Sequence, residues 1–146
     1  MTRICLDSSI LLNLLIREDD SAQAEELLRL VLLARAIAVA PAIAWAEVGS
    51  AIRRRARQRQ LSPEGAQHAW SDFRDLPVAF LAGEATADRA WALAEQWRLP
   101  TLYDATFLAV GEGTGFWTAD DRLLADLGAH RPDWVHHLRE PFRLPG

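Results

Sequence analysis

The sequence predicts an α/β fold, a short and mainly parallel sheet flanked by helices. Three observations carry that reading. Short apolar runs of strand length alternate with longer segments of helical period, no repeat or low-complexity linker breaks the alternation, and acidic residues recur where apolar runs start or stop. A length of 146 residues, 50% hydrophobic and 25% charged, suits one domain over 1–146 with a core of useful size.

Arg3-Ile4-Cys5-Leu6 reads as a buried parallel strand, stopped by Asp7-Ser8-Ser9, residues that open helices. Cys5, the single cysteine, falls inside that run and reads as an inert buried thiol; one cysteine excludes an internal disulfide. Ser9 to Ile16 is helical and apolar on most sides. From Ser21, the spacing of Ala24, Leu27, Leu28, Val31 and Leu32 marks an amphipathic helix. Ala36 to Ala40 is a second strand, after which Pro41 is expected in the first turn of a helix running through Trp45, Val48 and Ile52. Glu47 shares a different stripe of that helix with Ile43, Ala51 and Arg54. An acid there either pairs with an arginine one or two turns on or serves a site.

Arg53-Arg54-Arg55-Ala56-Arg57-Gln58-Arg59 places five arginines in seven residues at the end of the same helix. Such a run opposes the negative end of the helix dipole, and it also offers guanidinium forks to phosphate oxygens. Ser62 is expected to cap a helix with Pro63 in its first position, extending through Trp70 and Phe73 to Leu76-Pro77. Val78 to Leu81 is strand-like. Gly83 to Arg98 is expected to turn Ala87, Ala90, Trp91, Ala94 and Trp97 inward, with its tryptophans in packing roles. The next helix begins at Thr101-Leu102-Tyr103-Asp104, and Gly113 and Gly115 separate it from the strand Phe116 to Thr118. Asp120 and Asp121 open a last helix through Leu123, Leu124 and Leu127, and Trp134 to Leu138 forms an edge strand. His136 and His137 point to opposite faces of that strand, which denies them a joint metal role.

All 16 basic residues are arginine, so chemistry that depends on a P-loop lysine or a Schiff-base lysine is excluded. The net charge of -4 makes the placement of the arginines more informative than their sum. The most apolar stretch, Leu27 to Ala40, is interrupted by Arg29 and Arg35 and is shorter than the roughly 20 residues of a membrane span. The start shows no signal-peptide pattern, so a cytoplasmic location without membrane attachment is expected.

Asp7, Glu47, Asp104 and Asp120 lie on four segments far apart in sequence. Asp7 and Asp120 emerge at the carboxyl ends of strands, where ligands collect in parallel α/β sheets. Several carboxylates brought within a few ångström repel one another, and a hard dication such as Mg²⁺ or Mn²⁺ relieves that repulsion. Metal-assisted phosphodiester hydrolysis is the chemistry such a centre suggests.

These pieces, Ile4-Cys5-Leu6-Asp7-Ser8-Ser9, Pro41 through Trp45-Ala46-Glu47-Val48, Tyr103-Asp104-Ala105 and Trp117-Thr118-Ala119-Asp120, resemble a PIN-domain ribonuclease, most of all the VapC-type toxins of bacterial toxin-antitoxin pairs. The resemblance spans nearly the whole chain. It implies a PIN-like three-layer fold, with Asp7, Glu47, Asp104 and Asp120 as the catalytic acids and Asp7, Asp104 and Asp120 on the metal. It makes Ser9 and Thr118 supporting hydroxyls and leaves Asp121 as an acid that substitutes for Asp120 or assists it. It further implies Mg²⁺ or Mn²⁺ dependence, an RNA substrate, a homodimer and inhibition by a cognate small antitoxin. Arg53, Arg54, Arg55 and Arg57 are the candidate phosphate contacts. The rival readings are a non-catalytic PIN-like module that binds RNA or protein, and a metal-dependent enzyme acting on DNA or on a small phosphate ester.

Overall fold

Ile4, Cys5 and Leu6 have no exposed surface, which places strand β1 (Arg3–Leu6) at the middle of the sheet with helices over both faces. The computed structural model describes residues 1–145. Along the chain follow α1 (Ser8–Leu15), α2 (Ser21–Leu33), β2 (Ile37–Pro41), α3 (Ala44–Arg57), α4 (Pro63–Asp75) and β3 (Val78–Leu81). Then come α5 (Glu84–Trp97), α6 (Leu102–Gly111), β4 (Phe116–Thr118), α7 (Asp121–Leu127), a single 3₁₀ turn (Gly128–His130) and β5 (Val135–His137). The strand order is β3-β2-β1-β4-β5, and every neighbouring pair is parallel.

This order fixes where a site can form. The chain builds outward from β1 through β2 to β3, then crosses to the other side of β1 for β4 and β5. The reversal leaves a crevice between the carboxyl ends of β1 and β4, the switch point at which open parallel sheets bind ligands. Leu6 pairs with Trp117 in the register, so Asp7 and Thr118 stand side by side at that crevice.

The sheet's two faces are covered by different helices. Gly111 in α6 lies against Cys5 and Phe116, while Leu6 and Trp117, one residue on, point to the opposite face, where α1 meets β4 and α2 meets β2. Helix α5 packs on α6, and α3 and α4 pack on α1. These are the three layers.

Several local expectations need correcting. Pro41 ends β2 rather than entering α3, which starts three residues later. Ala42 donates its N–H to Leu81 at 2.8 Å, so the imide nitrogen of Pro41 faces the β1 side, beyond the last β1–β2 pair at Cys5 and Val39, where no ladder bond is lost. In α5 the inward residues are Ala90 and Leu93, with Ala94 and Trp97 half-buried; Ala87 is exposed and Trp91 is 61% exposed. In α3 the inward row is Ala44, Val48 and Ile52, leaving Trp45 at the surface. No helix among the described residues is long and apolar enough to cross a membrane.

Gly111 sets how closely α6, the carrier of Asp104, approaches the sheet. A Cβ there would lie 2.6 Å from the Phe116 Cβ and 3.2 Å from the Cys5 Cβ, distances that only displacement of a strand relieves. Gly111→Ala is therefore expected to lower stability by about 1–3 kcal/mol despite the better helix propensity of alanine. Urea denaturation of the two proteins tests this, and equal midpoints would show that the contact yields freely.

Candidate metal centre

Asp7 stands in the N-cap position of α1, where its carbonyl accepts from Ile10 and Leu11, yet its carboxylate does not cap the helix. The carboxylate turns instead to the β4 side. Its Oδ2 accepts from Ser9 Oγ and from Thr118 Oγ1, both at 2.7 Å. Those hydroxyls are themselves held: Ser9 Oγ accepts from the Ala119 N–H at 3.0 Å and Thr118 Oγ1 from the Asp120 N–H at 2.9 Å. The network ties the end of β1 to the end of β4 and fixes one oxygen of a buried acid. Burial raises the Asp7 carboxyl to about 6 against the pull of the two hydroxyl bonds, and the charges of Asp104 and Asp120 add to the rise.

Glu47 sits in the first turn of α3 and Asp104 in the first turn of α6. Burial, then the charges of Asp7 and Asp104, push Glu47 up to about 7. Its Oε1 is buried with no hydrogen-bond partner, and no arginine answers it among the described residues, so the helical ion-pair explanation of this acid is set aside. Asp104 is also raised, by burial first and by Asp120 and Asp126, although the Arg122 guanidinium opposes the shift.

The adjacent acids Asp120 and Asp121 point different ways. Asp120 caps α7, accepting from Arg122 N–H at 3.0 Å and Leu123 N–H at 3.3 Å, and lies on the Asp104 side. The Asp121 side chain is 79% exposed and reaches toward β5, its Oδ1 3.1 Å from His137 Nε2. That approach lacks hydrogen-bond geometry. Arg122 is a site residue that the sequence reading missed. Its guanidinium stands 3.4 Å from Asp104 and 3.5 Å from Asp120, bridging the two acids. Its position in the first turn of an Asp-capped helix was the available signal.

The donor chemistry fits a hard dication. Asp7 has one oxygen outside its hydroxyl bonds, Glu47 has an unpartnered buried oxygen, and the acids raise one another's proton affinity. The side chains do not form a closed ligand set as they stand. No three His, Cys, Asp or Glu side chains among the described residues are arranged to hold one ion, and Arg122 occupies the approach between Asp104 and Asp120.

A groove of about 610 Å³ runs past Glu47 between α1 and α3, lined also by Ser9, Arg54 and Tyr103. Beyond it, Arg53, Arg54 and Arg57 line a further groove of about 580 Å³ with Ser50 and Gln58. Arg55 faces elsewhere. It forms an ion pair with Glu18, which ties α3 to the loop after α1 and separates it from the other three arginines.

Both Asp7 and Glu47 hold protons more tightly than the ordinary carboxyl values of 3.8 and 4.5. Raised carboxyl values mean that protonation favours the fold; this stabilisation is complete below pH about 4 and lost as pH rises through 6 and 7. In chelator, denaturation midpoints should therefore fall between pH 5 and 8, and Asp7→Asn with Glu47→Gln should remove most of that fall. The same slope in the double variant would contradict the assignment.

The model of the PIN domain family matches residues 4–127, a span containing all four acids and all three hydroxyl and guanidinium groups around them. No curated protein matches the chain. PIN domains are generally metal-dependent nucleases. The chain belongs to the PIN domain family.

Proposed function

We propose that the protein is a metal-dependent endoribonuclease that hydrolyses RNA phosphodiester bonds and serves as the toxin of a type II toxin-antitoxin pair. The observation that carries the nuclease reading is the electrostatic coupling of Asp7, Glu47, Asp104 and Asp120 at one sheet end, beside an arginine-lined surface. The toxin role rests on the resemblance of the four motifs to VapC-type toxins. A cytoplasmic location, a homodimer and a small antitoxin partner belong to the same proposal.

In this reading Asp7, Asp104 and Asp120 would hold the ion, and the hydroxyls of Ser9 and Thr118 keep Asp7 in one rotamer. A bound Mg²⁺ or Mn²⁺ supplies a water acidic enough to ionise near neutral pH. Glu47, whose buried Oε1 has no hydrogen-bond partner, would be placed to accept a hydrogen bond from such a water and orient it. Arg122 must leave Asp104 and Asp120 for the acids to turn inward, and its guanidinium is then available to a phosphate oxygen. Arg53, Arg54 and Arg57 position the RNA backbone, while Arg55 is committed to Glu18.

The bridging Arg122 favours a second reading, in which the guanidinium permanently neutralises the acids and the domain binds RNA without cutting it. Cleavage assays separate the two. Purified protein should cut single-stranded RNA with Mn²⁺, stop in chelator, and lose at least about a hundredfold in rate as Asp7→Asn, since a metal supplies several kcal/mol to such a transition state. Intact RNA in Mn²⁺ supports the binding module, and equal cleavage of DNA widens the substrate class. The Arg53→Ala, Arg54→Ala, Arg57→Ala protein should bind RNA more weakly with a salt slope flatter by roughly two, at about 0.7 per lost phosphate contact. An unchanged slope removes those residues from the interface.

A further inference from the structure

Two tryptophans, Trp45 and Trp91, serve neither the core nor the acidic centre, and Trp45 is the one on the helix that carries Glu47. Trp45 is 57% exposed and belongs neither to the buried core nor to the apolar residues packed against it. It stands at a groove of about 860 Å³ between α3 and α4. The opposite wall is Trp70, which is half-buried and rests on Phe73 with ring centroids 5.4 Å apart. A Cβ on Gly49 would come within 3.0 Å of Trp70, so the glycine lets that indole settle against α3. Trp70 is fixed by packing, and Trp45 is presented to solvent.

Trp45, Gly49, Arg53 and Arg57 succeed one another at intervals of four, which sets them along one side of α3. The row therefore reads indole, notch, guanidinium, guanidinium. No acidic side chain lines the groove, although the chain as a whole carries a net charge of -4. Ala46 and Ser50 border both this groove and the one that holds Glu47, so a continuous surface leads from Glu47 over α3 to Trp45.

We propose that this row is a binding site for a nucleotide of single-stranded RNA lying outside the scissile bond, its base stacked on Trp45 and the adjoining phosphates on Arg53 and Arg57. The choice of ligand rests on the nuclease reading above. An exposed indole accepts any base through its π-face, and guanidinium groups along the same row match a phosphate backbone in charge and hydrogen bonding. An apolar helix from a protein partner fits less well, because it would bury two arginines without an anion to meet them.

The test is fluorescence anisotropy with labelled single-stranded oligoribonucleotides in chelator, so that nothing is cut, alongside an abasic strand of equal length. Trp45→Ala should weaken binding about tenfold on the normal strand and leave the abasic strand unaffected. Trp45→Phe should keep most of the affinity. The salt slope should stay unchanged in Trp45→Ala and flatten in Arg53→Ala, Arg57→Ala. Equal affinity of wild type and Trp45→Ala overturns the proposal, as does an equal loss on the abasic strand. A wild type that binds no RNA overturns it as well and leaves the groove to a protein. Cleavage with Mn²⁺ keeps the two claims apart: RNA cutting with Trp45-independent binding sinks this site alone, whereas Trp45-dependent binding without cutting sinks the nuclease reading alone.

Discussion

The centre of this molecule depends on one buried carboxylate, Asp7, held by two hydroxyl bonds at the junction of β1 and β4. A buried acid among other acids is costly, and the hydroxyls of Ser9 and Thr118 recover only part of that cost. The remaining repulsion favours positive charge nearby. Arg122 meets some of it in the present arrangement, and a dication would meet more.

Sheet topology brings the four acids to one end of the fold. The chain leaves β1 in one direction and returns on its other side, so Asp7 and Asp120 end neighbouring strands despite their distance in sequence. Helix α6 then brings Asp104 across the same end, and Gly111 sets its depth. Helix α3 delivers Glu47 from its first turn and carries the arginines in its C-terminal part. Nuclease chemistry and polymer binding would thus share a single helix, with the reacting end near its start and the phosphate contacts toward its finish.

Much of the fold was legible because strand residues such as Ile4-Cys5-Leu6 and Phe116-Trp117-Thr118 are short apolar runs between clear breakers, and β1 and β4 fall where the sequence places them. What failed was side-chain direction. Trp45 and Trp91 are as apolar as buried residues, and composition does not reveal that both stand outside. Pro41 was expected in α3 because proline suits a first helical turn, but the position also tolerates a strand end when the missing N–H has no partner to lose. Helices α2, α3 and α5 are followed by Arg35, Arg59 and Arg98 in the left-handed region, where glycine would have marked the stop. Asp7 and Asp120 drew attention at strand ends and Asp104 at a helix start, whereas Glu47 stood out as an acid on a mostly apolar stretch of helix. Their electrostatic coupling could not be read in this way, nor could the separation of Arg55 from its neighbours by Glu18, since both depend on which elements meet in space.

Calorimetric titration of the metal-free protein with Mn²⁺ addresses the central claim most directly. If Asp7, Glu47, Asp104 and Asp120 form a dication site, wild type takes up Mn²⁺ with proton release that is larger at pH 6 than at pH 8, because Asp7 and Glu47 surrender protons held to about 6 and about 7. Asp7→Asn should then show little uptake. Absence of binding heat in several buffers of different ionisation enthalpy, or equal uptake by wild type and Asp7→Asn, would contradict the account.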